Sequence, residues 1–283
     1  MAPYPSLFDK LQQEFLKTRL WTGDPAQHAT PLPWSEFSET GELLAYEGPF
    51  VQVLDELETA LTSHVQDEGT LLARILHPPR IVRAVIDDKI HNPWMGKLRG
   101  WLKDALHLAQ AVYEQSPAAL PLLYRLRQEW EGDYLLMASV FQKADGATWM
   151  AMDPYRSART AEEMIRTTDR APVLFLALAH GGVAAGLDVF LRYQQLADNP
   201  SSAFYAVRFS RDKHSDKRPH VDFSETLLFG ELRQNRTLIL FDEDEYSGTT
   251  LSKARSFFAE TLSPHLFAFV NHLCLDKEAW HKL

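Results

Sequence analysis

Hydrophobic spacing divides the chain into two regions. Up to about residue 150 the apolar positions recur at helical intervals. Residues 7–20 open an amphipathic stretch, and a proline-punctuated loop, GDPAQHATPLPW, follows at 23–34. The segment MGKLRGWLKDALHLAQAVYE sets Leu98, Trp101, Leu102, Ala105, Ala109, Val112 and Tyr113 on helical spacing. A further helix is predicted over 118–130, with Leu123, Leu126 and Trp130 along one side. The turn-rich stretch KADGATWMAMDPYRSART, 143–160, then marks a boundary. Beyond it come strand-like segments: PVLFLALA at 172–179 is an unalternating apolar run, as expected of a strand buried on both faces, TLILF at 237–241 is also continuously apolar, and AFYAVRF at 203–209 and HLFAFVNHLCL at 265–275 read as further strands. Helical segments separate them: RTAEEMIRTTDR, VAAGLDVFLRYQQL and a stretch near 249–261. The pattern predicts a mainly α-helical domain over 1–150, then an α/β domain over 151–283 built on an open, largely parallel sheet.

Composition narrows the functional classes. Of 283 residues, 45% are hydrophobic and 24% charged, which suits a packed globular chain. The formal charge is −9, so no extended nucleic-acid surface or capture by an anionic membrane is expected. Residues 1–150 hold 13 basic against 20 acidic side chains, and the rest 16 against 18, so the acidity is concentrated in the helical half. One cysteine, Cys274, allows neither an intrachain disulfide nor a thiolate zinc cluster. The first residues lack an apolar run of signal-peptide length. The one membrane-like run, 173–191, is interrupted by His180, a glycine pair and Asp188. A buried strand entering a buried helix is the better reading, and a cytoplasmic location is expected.

Two strand-to-helix loops carry chemistry. In FDEDEYSGTT, Asp242 and Glu243 stand where the third apolar run ends. Carboxylates there can accept hydrogen bonds from vicinal sugar hydroxyls and help hold a divalent cation. Ser247, Gly248, Thr249 and Thr250 follow as a turn at a helix start, where main-chain N–H groups, hydroxyls and the positive helix end suit a phosphate dianion. The second loop, ALAHGG, brings Ala179, His180, Gly181 and Gly182 to the end of the first apolar run. HExxH, Walker and GxSxG motifs are absent from the sequence.

Four apolar residues, two acids, three variable positions and then Ser/Thr-Gly-x-Thr resemble the phosphoribosyl-diphosphate (PRPP) motif of type I phosphoribosyltransferases. The HGG loop resembles the diphosphate loop of their hypoxanthine-guanine branch, in which the peptide before the glycine pair is often strained. VRFSRDKHSDKRPH is similar to the strand that runs into their mobile basic loop. The resemblance covers about 158–278 and implies a Mg2+-dependent transferase. It would place the 5-phosphate on Ser247 to Thr250, the ribose hydroxyls and metal at Asp242 and Glu243, and the diphosphate at Ala179 to Gly182. Arg211 and Lys213 would close over the diphosphate, with Arg208, Lys217 and Arg218 adding charge nearby.

This chain also departs from the family. Tyr246 stands where purine-specific members often carry an aspartate; stacking on a base and hydrogen-bond donation are both open to it. Asp244 and Glu245 have no family role and read as loop charges, proton acceptors or metal ligands. After the last strand, Asp276 and Lys277 precede Trp280, which can stack on a base or pack on its own domain. An aromatic hood would then come from elsewhere, with Trp94, Trp101, Trp130 and Trp149 of the helical half as sources, though most read as core. Two rivals accompany the enzyme reading: a PRPP- or nucleotide-sensing regulatory protein, and a purely structural partner subunit. A protein partner or homo-oligomer fits either.

Overall fold

The computed structural model describes residues 6–18, 45–91, 98–144, 152–209, 218–245 and 249–273, and the chain divides into two compact units, Met1–Pro154 and Tyr155–Leu283.

In the first unit, helices α1 (Leu7–Thr18), α2 (Phe50–Thr62), α3 (Glu68–His91), α4 (Leu98–Tyr113), α5 (Ala119–Trp130) and the short α6 (Tyr134–Met137) surround an apolar core. Strands β1 (Ala45–Pro49) and β2 (Val140–Ala144) pair antiparallel, Ala45 opposite Ala144. Helix α3 packs against α1, α2 and α4, and it runs through Pro78 and Pro79. Those prolines supply no N–H, which deprives the carbonyls of Arg74 and Ile75 of their usual helical donors. The Tyr113 hydroxyl, from α4, donates to the Ile75 carbonyl at 2.8 Å and restores one of them. Trp101 and Trp130 are buried and meet edge to face at 6.4 Å, so both serve this unit's core. Trp94 and Trp149 lie outside the described residues.

Among the described residues of this unit a polar cluster is buried. His77, fully enclosed, lies 2.9 Å from the Glu56 carboxylate through Nε2 and 3.2 Å from the Arg80 guanidinium through Nδ1. Arginine can only donate, so the imidazole is held with its proton on Nε2, the nitrogen nearer Glu56. The His77 hydrogen bond, more than the opposing effect of burial, holds the Glu56 carboxyl below its ordinary value of 4.5. Arg80 stacks on the Tyr46 ring at 4.6 Å. Burial, and then the charge of Glu56, push the Tyr46 phenol up to about 12.

The second unit is α/β. Its elements are α7 (Pro154–Thr168), β3 (Val173–Ala179), α8 (Gly182–Ala197), β4 (Ala203–Arg208), α9 (Phe223–Leu232), β5 (Thr237–Glu245), α10 (Thr249–Thr261) and β6 (Leu266–Leu273). Among the described residues the sheet is four-stranded and all parallel, in the order β4-β3-β5-β6. All seven residues of β3 are buried, which explains its unbroken apolar run. Helix α8 lies close on the sheet at Gly186. A Cβ there would stand 3.1 Å from the Phe241 ring and 3.2 Å from both Ala177 and Phe175.

The stretch 143–160, expected as a turn-rich boundary, is entered by β2 at one end and by α7 at the other. The third apolar run was expected to stop before the acids. Instead β5 continues through Asp242, Glu243, Asp244 and Glu245, because β6 supplies a ladder: Asp242 pairs with Val270, Asp244 with His272 and Glu245 with Leu273. Asp244 and Glu245 are therefore strand residues, not loop charges. Helix α9 was not expected at all.

Candidate functional site at the sheet switch point

The strand order reverses between β3 and β5. From β3 the chain steps outward to β4, then returns to the other side of β3 as β5 and steps outward again to β6. Right-handed crossovers running in opposite directions set α8 and α10 on opposite faces of the sheet. Helices α8 and α10 therefore take the chain from β3 and β5 to opposite faces of the sheet. The crevice between the loops that leave these two strands, beyond their carboxyl ends, is where open α/β sheets bind ligands. Both sequence-predicted loops leave the sheet at this crevice.

From β3 the chain passes Ala179, His180 and Gly181 into α8, whose first residue is Gly182. The Ala179–His180 peptide bond is cis. Gly181 sits at the N-cap with helical angles (φ −60°, ψ −44°) and offers no side-chain cap, so the first turn of α8 presents main-chain N–H groups at the crevice. Val183 N–H reaches the His180 carbonyl at 3.3 Å.

From β5, the half-buried Asp242 and Glu243 reach the same place. The Glu243 carboxylate lies over Gly181. A Cβ on Gly181 would fall 1.6 Å from its Oε1 and 2.2 Å from its Cδ. A Cβ on Gly182 would meet the Phe241 carbonyl at 3.4 Å and Glu243 Oε2 at 3.5 Å. Those Gly182 distances are ordinary contacts, so Gly181 is the glycine that lets the acidic strand end and the β3 loop share one space. Successive strand residues face opposite sides, so Asp242 faces the α10 side while Glu243 faces α8. The Asp242 carboxylate also accepts the Glu243 N–H at 3.1 Å. Thr249 and Thr250, half-buried, are the first residues of α10.

From β4 comes a residue that sequence reasoning treated only as added charge. Arg208 pairs in register with Ala179 and is 5% exposed. Its guanidinium donates to His180 Nε2 at 2.5 Å. The chain leaves the sheet with Phe209 N–H donating to the Ala179 carbonyl at 3.3 Å, and returns with His220 N–H donating to the Arg208 carbonyl at 2.9 Å. Re-entry is secured by a capping box at the head of α9. Asp222 accepts from the N–H groups of Ser224 and Glu225, and Glu225 accepts from Asp222 N–H at 3.0 Å. That Asp-x-x-Glu spacing is the signal that would have revealed α9. Both feet of the basic loop are thus fixed at the end of β4, beside the turn that leaves β3.

Arg211, Lys213 and Lys217 of that loop, Tyr246, Ser247 and Gly248 of the phosphate turn, and Lys277 and Trp280 lie outside the described residues. Arg218 is described and exposed.

Among the described residues no cluster of three or more His, Cys, Asp or Glu side chains forms a metal cage. Mg2+ does not require one. It is commonly held by one or two carboxylates with water and substrate phosphates, and the adjacent Asp242 and Glu243 suit that donor set. A cleft of about 490 Å3, lined by Gly230, Arg233, Gln234, Asn235, Arg236 and Thr237, lies at the opposite end of β5. Its arginines are engaged with main-chain carbonyls, Arg233 with Leu262 and Arg236 with Ser201 and Leu232. Among the described residues no helix is long and apolar enough to cross a membrane. No family model, no curated protein and no solved structure matches the chain.

Proposed function

We propose that the second unit is a type I phosphoribosyltransferase domain, using PRPP and Mg2+ to transfer a phosphoribosyl group to a nitrogen acceptor, most simply a nucleobase. One observation carries the reading: at the switch point of a parallel sheet, the Asp242–Glu243 strand end lies directly against the Gly181–Gly182 turn. Acids for a sugar, a glycine turn for a diphosphate and a Thr-headed helix for a phosphate then converge as a phosphoribosyl diphosphate requires.

The parts divide the work. Ser247 to Thr250, at the start of α10, hold the 5-phosphate through N–H groups, hydroxyls and the positive helix end. Asp242 and Glu243 accept hydrogen bonds from the ribose hydroxyls. The N–H groups at the head of α8 receive the diphosphate, with Ala179 and His180 shaping the turn, and Arg211 and Lys213 close over it from the loop anchored at Phe209 and His220. Asp242 and Glu243, with water and the substrate, would hold Mg2+, which would supply neutralising charge for the leaving diphosphate. As the C1–oxygen bond breaks, its electron pair leaves with the diphosphate and positive charge develops on the ribose. The fixed carboxylates are complementary to that charge. The acceptor nitrogen then bonds to C1 through its lone pair and its N–H proton passes to solvent, with Tyr246 and Trp280 on the base side. The same arrangement serves the reverse reaction, or hydrolysis when water is the nucleophile.

The test is diphosphate release from PRPP and Mg2+ across a panel of purines and pyrimidines. Turnover on one acceptor supports the enzyme. Saturable PRPP binding without turnover makes the domain a PRPP sensor instead, and absence of PRPP binding removes both readings. Asp242→Asn combined with Glu243→Gln should abolish binding while leaving the thermal melt in place.

A further inference from the structure

The cleft at the start of β5 gathers two cations in a chain of net charge −9, and none of its described lining residues is acidic. Among the described residues neither arginine has a carboxylate partner; their bonds go to main-chain carbonyls. Arg233 gives Nη1 to Leu262, just past the end of α10. Arg236 gives Nε to Ser201 at 2.6 Å and Nη1 to Leu232, the last residue of α9. A guanidinium carries five N–H donors, so these bonds orient each fork and leave donors over, Nη2 in both. A helix end is worth about half a negative charge, so the ends of α9 and α10 offset about one of the two positive charges. The turn itself is fixed: Arg236 N–H donates to the Arg233 carbonyl at 2.9 Å and Thr237 N–H to the Pro172 carbonyl at 2.8 Å. Gly230 supplies a second observation. It lies inside α9, where glycine weakens a helix, and a Cβ there would meet nothing within 4 Å. Packing gives no reason for this glycine; its missing side chain keeps the wall of the cleft open.

We propose that this cleft is a ligand site distinct from the switch point, built for a phosphate group: Arg233 and Arg236 hold the phosphate oxygens, and Gln234, Asn235 and Thr237 offer amide and hydroxyl hydrogen bonds to whatever carries it. A phosphate monoester brings close to two charges and three terminal oxygens, a better match to two guanidinium forks than a single carboxylate. At about 490 Å3 the cleft falls within the range of small-molecule pockets, roughly 300–1,000 Å3, and has room for more than a bare anion. The site does not depend on the phosphoribosyltransferase reading, because it lies at the other end of β5 from Asp242 and Glu243.

The experiment uses the full chain labelled with 15N-glycine, which gives at most 13 amide signals. The signals lost in Gly230→Ala and Gly248→Ala report the cleft and the proposed phosphate turn of the switch point separately. Titrations at constant ionic strength use inorganic phosphate, adenosine monophosphate and succinate. Both phosphates should shift the Gly230 signal saturably, with succinate weaker by about tenfold or more; the tighter of the two phosphates tells whether an ester or the free ion is the ligand. Arg233→Gln keeps Gly230 as reporter and should weaken phosphate affinity about tenfold, the effect of one hydrogen bond to a charged group. Should that variant not fold, Gly230→Glu replaces it: its carboxylate enters open space without a clash, and the heat of phosphate binding should fall against the wild type while PRPP affinity is unchanged. A Gly230 signal that stays in place under both phosphates, succinate binding as tightly as either, or wild-type phosphate affinity in Arg233→Gln or Gly230→Glu would overturn the proposal. Movement of the Gly248 signal alone would overturn it too, and would leave the switch-point reading standing.

Discussion

Replacing Gly181 with alanine isolates the contact on which the site depends. The backbone there has φ −60° and ψ −44°, which alanine adopts freely, so main-chain strain plays no part. The new methyl group would lie 1.6 Å from Glu243 Oε1, whereas real Cβ contacts stay beyond 3.0 Å, so the carboxylate must retreat by at least 1.4 Å. The displaced atoms are the far end of a flexible side chain. Re-rotating Glu243 costs about 1 kcal/mol, and the stiffer unfolded chain returns about 0.4–1 kcal/mol, so the net stability change is close to zero. Function responds differently, because a misplacement of about 1 Å at a reacting centre can lower the rate about a hundredfold. Gly181→Ala should therefore melt like the wild type yet lose about two orders of magnitude in kcat/KM for PRPP, measured as diphosphate release. Adding Glu243→Asp shortens the acid by one methylene, relieves the clash and should restore part of the loss. A Gly181→Ala protein with wild-type kcat/KM would refute the placement of Glu243 in the site. A large fall in melting temperature would instead make the glycine a packing residue.

Three further outcomes test the packing and electrostatics. Gly186→Ala pushes a methyl against Phe241, Ala177 and Phe175 at 3.1–3.2 Å; overpacking of about 1–3 kcal/mol against about 1 kcal/mol of helix propensity predicts a net loss near 1 kcal/mol, and a stabilised variant in urea melts would show the helix is not seated that closely. Tyr113→Phe strands the Ile75 carbonyl that Pro79 leaves without a helical donor, and should lower the urea midpoint by the equivalent of about 1–2 kcal/mol at constant m-value. Glu56 is held below 4.5 in the folded chain, so between the two values the unfolded chain binds more protons; the stabilisation is complete above pH 4.5 and disappears as pH falls through the lowered folded value. Glu56→Gln should remove this acid-side dependence, and wild-type and variant stability curves that stay parallel across that window would rule the linkage out.

What the sequence made legible, and what it did not, follows from how far apart the interacting residues lie. The strand at 173–179 could be read locally, because burial on both faces writes itself as an unbroken apolar run. The antiparallel β1–β2 ribbon could not. Ala45 pairs with Ala144, 99 residues later in the sequence, and AYEGP carries no strand pattern of its own. Strand β5 was read too short for a related reason. Four consecutive acids argue against a strand on local grounds, and only the β6 ladder, through pairs such as Asp244 with His272, makes an extended main chain favourable there. The correction also bears on the site. An acid run in a loop has no fixed facing, but in a strand it alternates, which puts Asp242 and Glu243 on opposite sides of one crevice. The motif thus marked the place, while the dependence of Gly181 on Glu243, and of His180 on Arg208, emerges only when three strands distant in sequence end side by side.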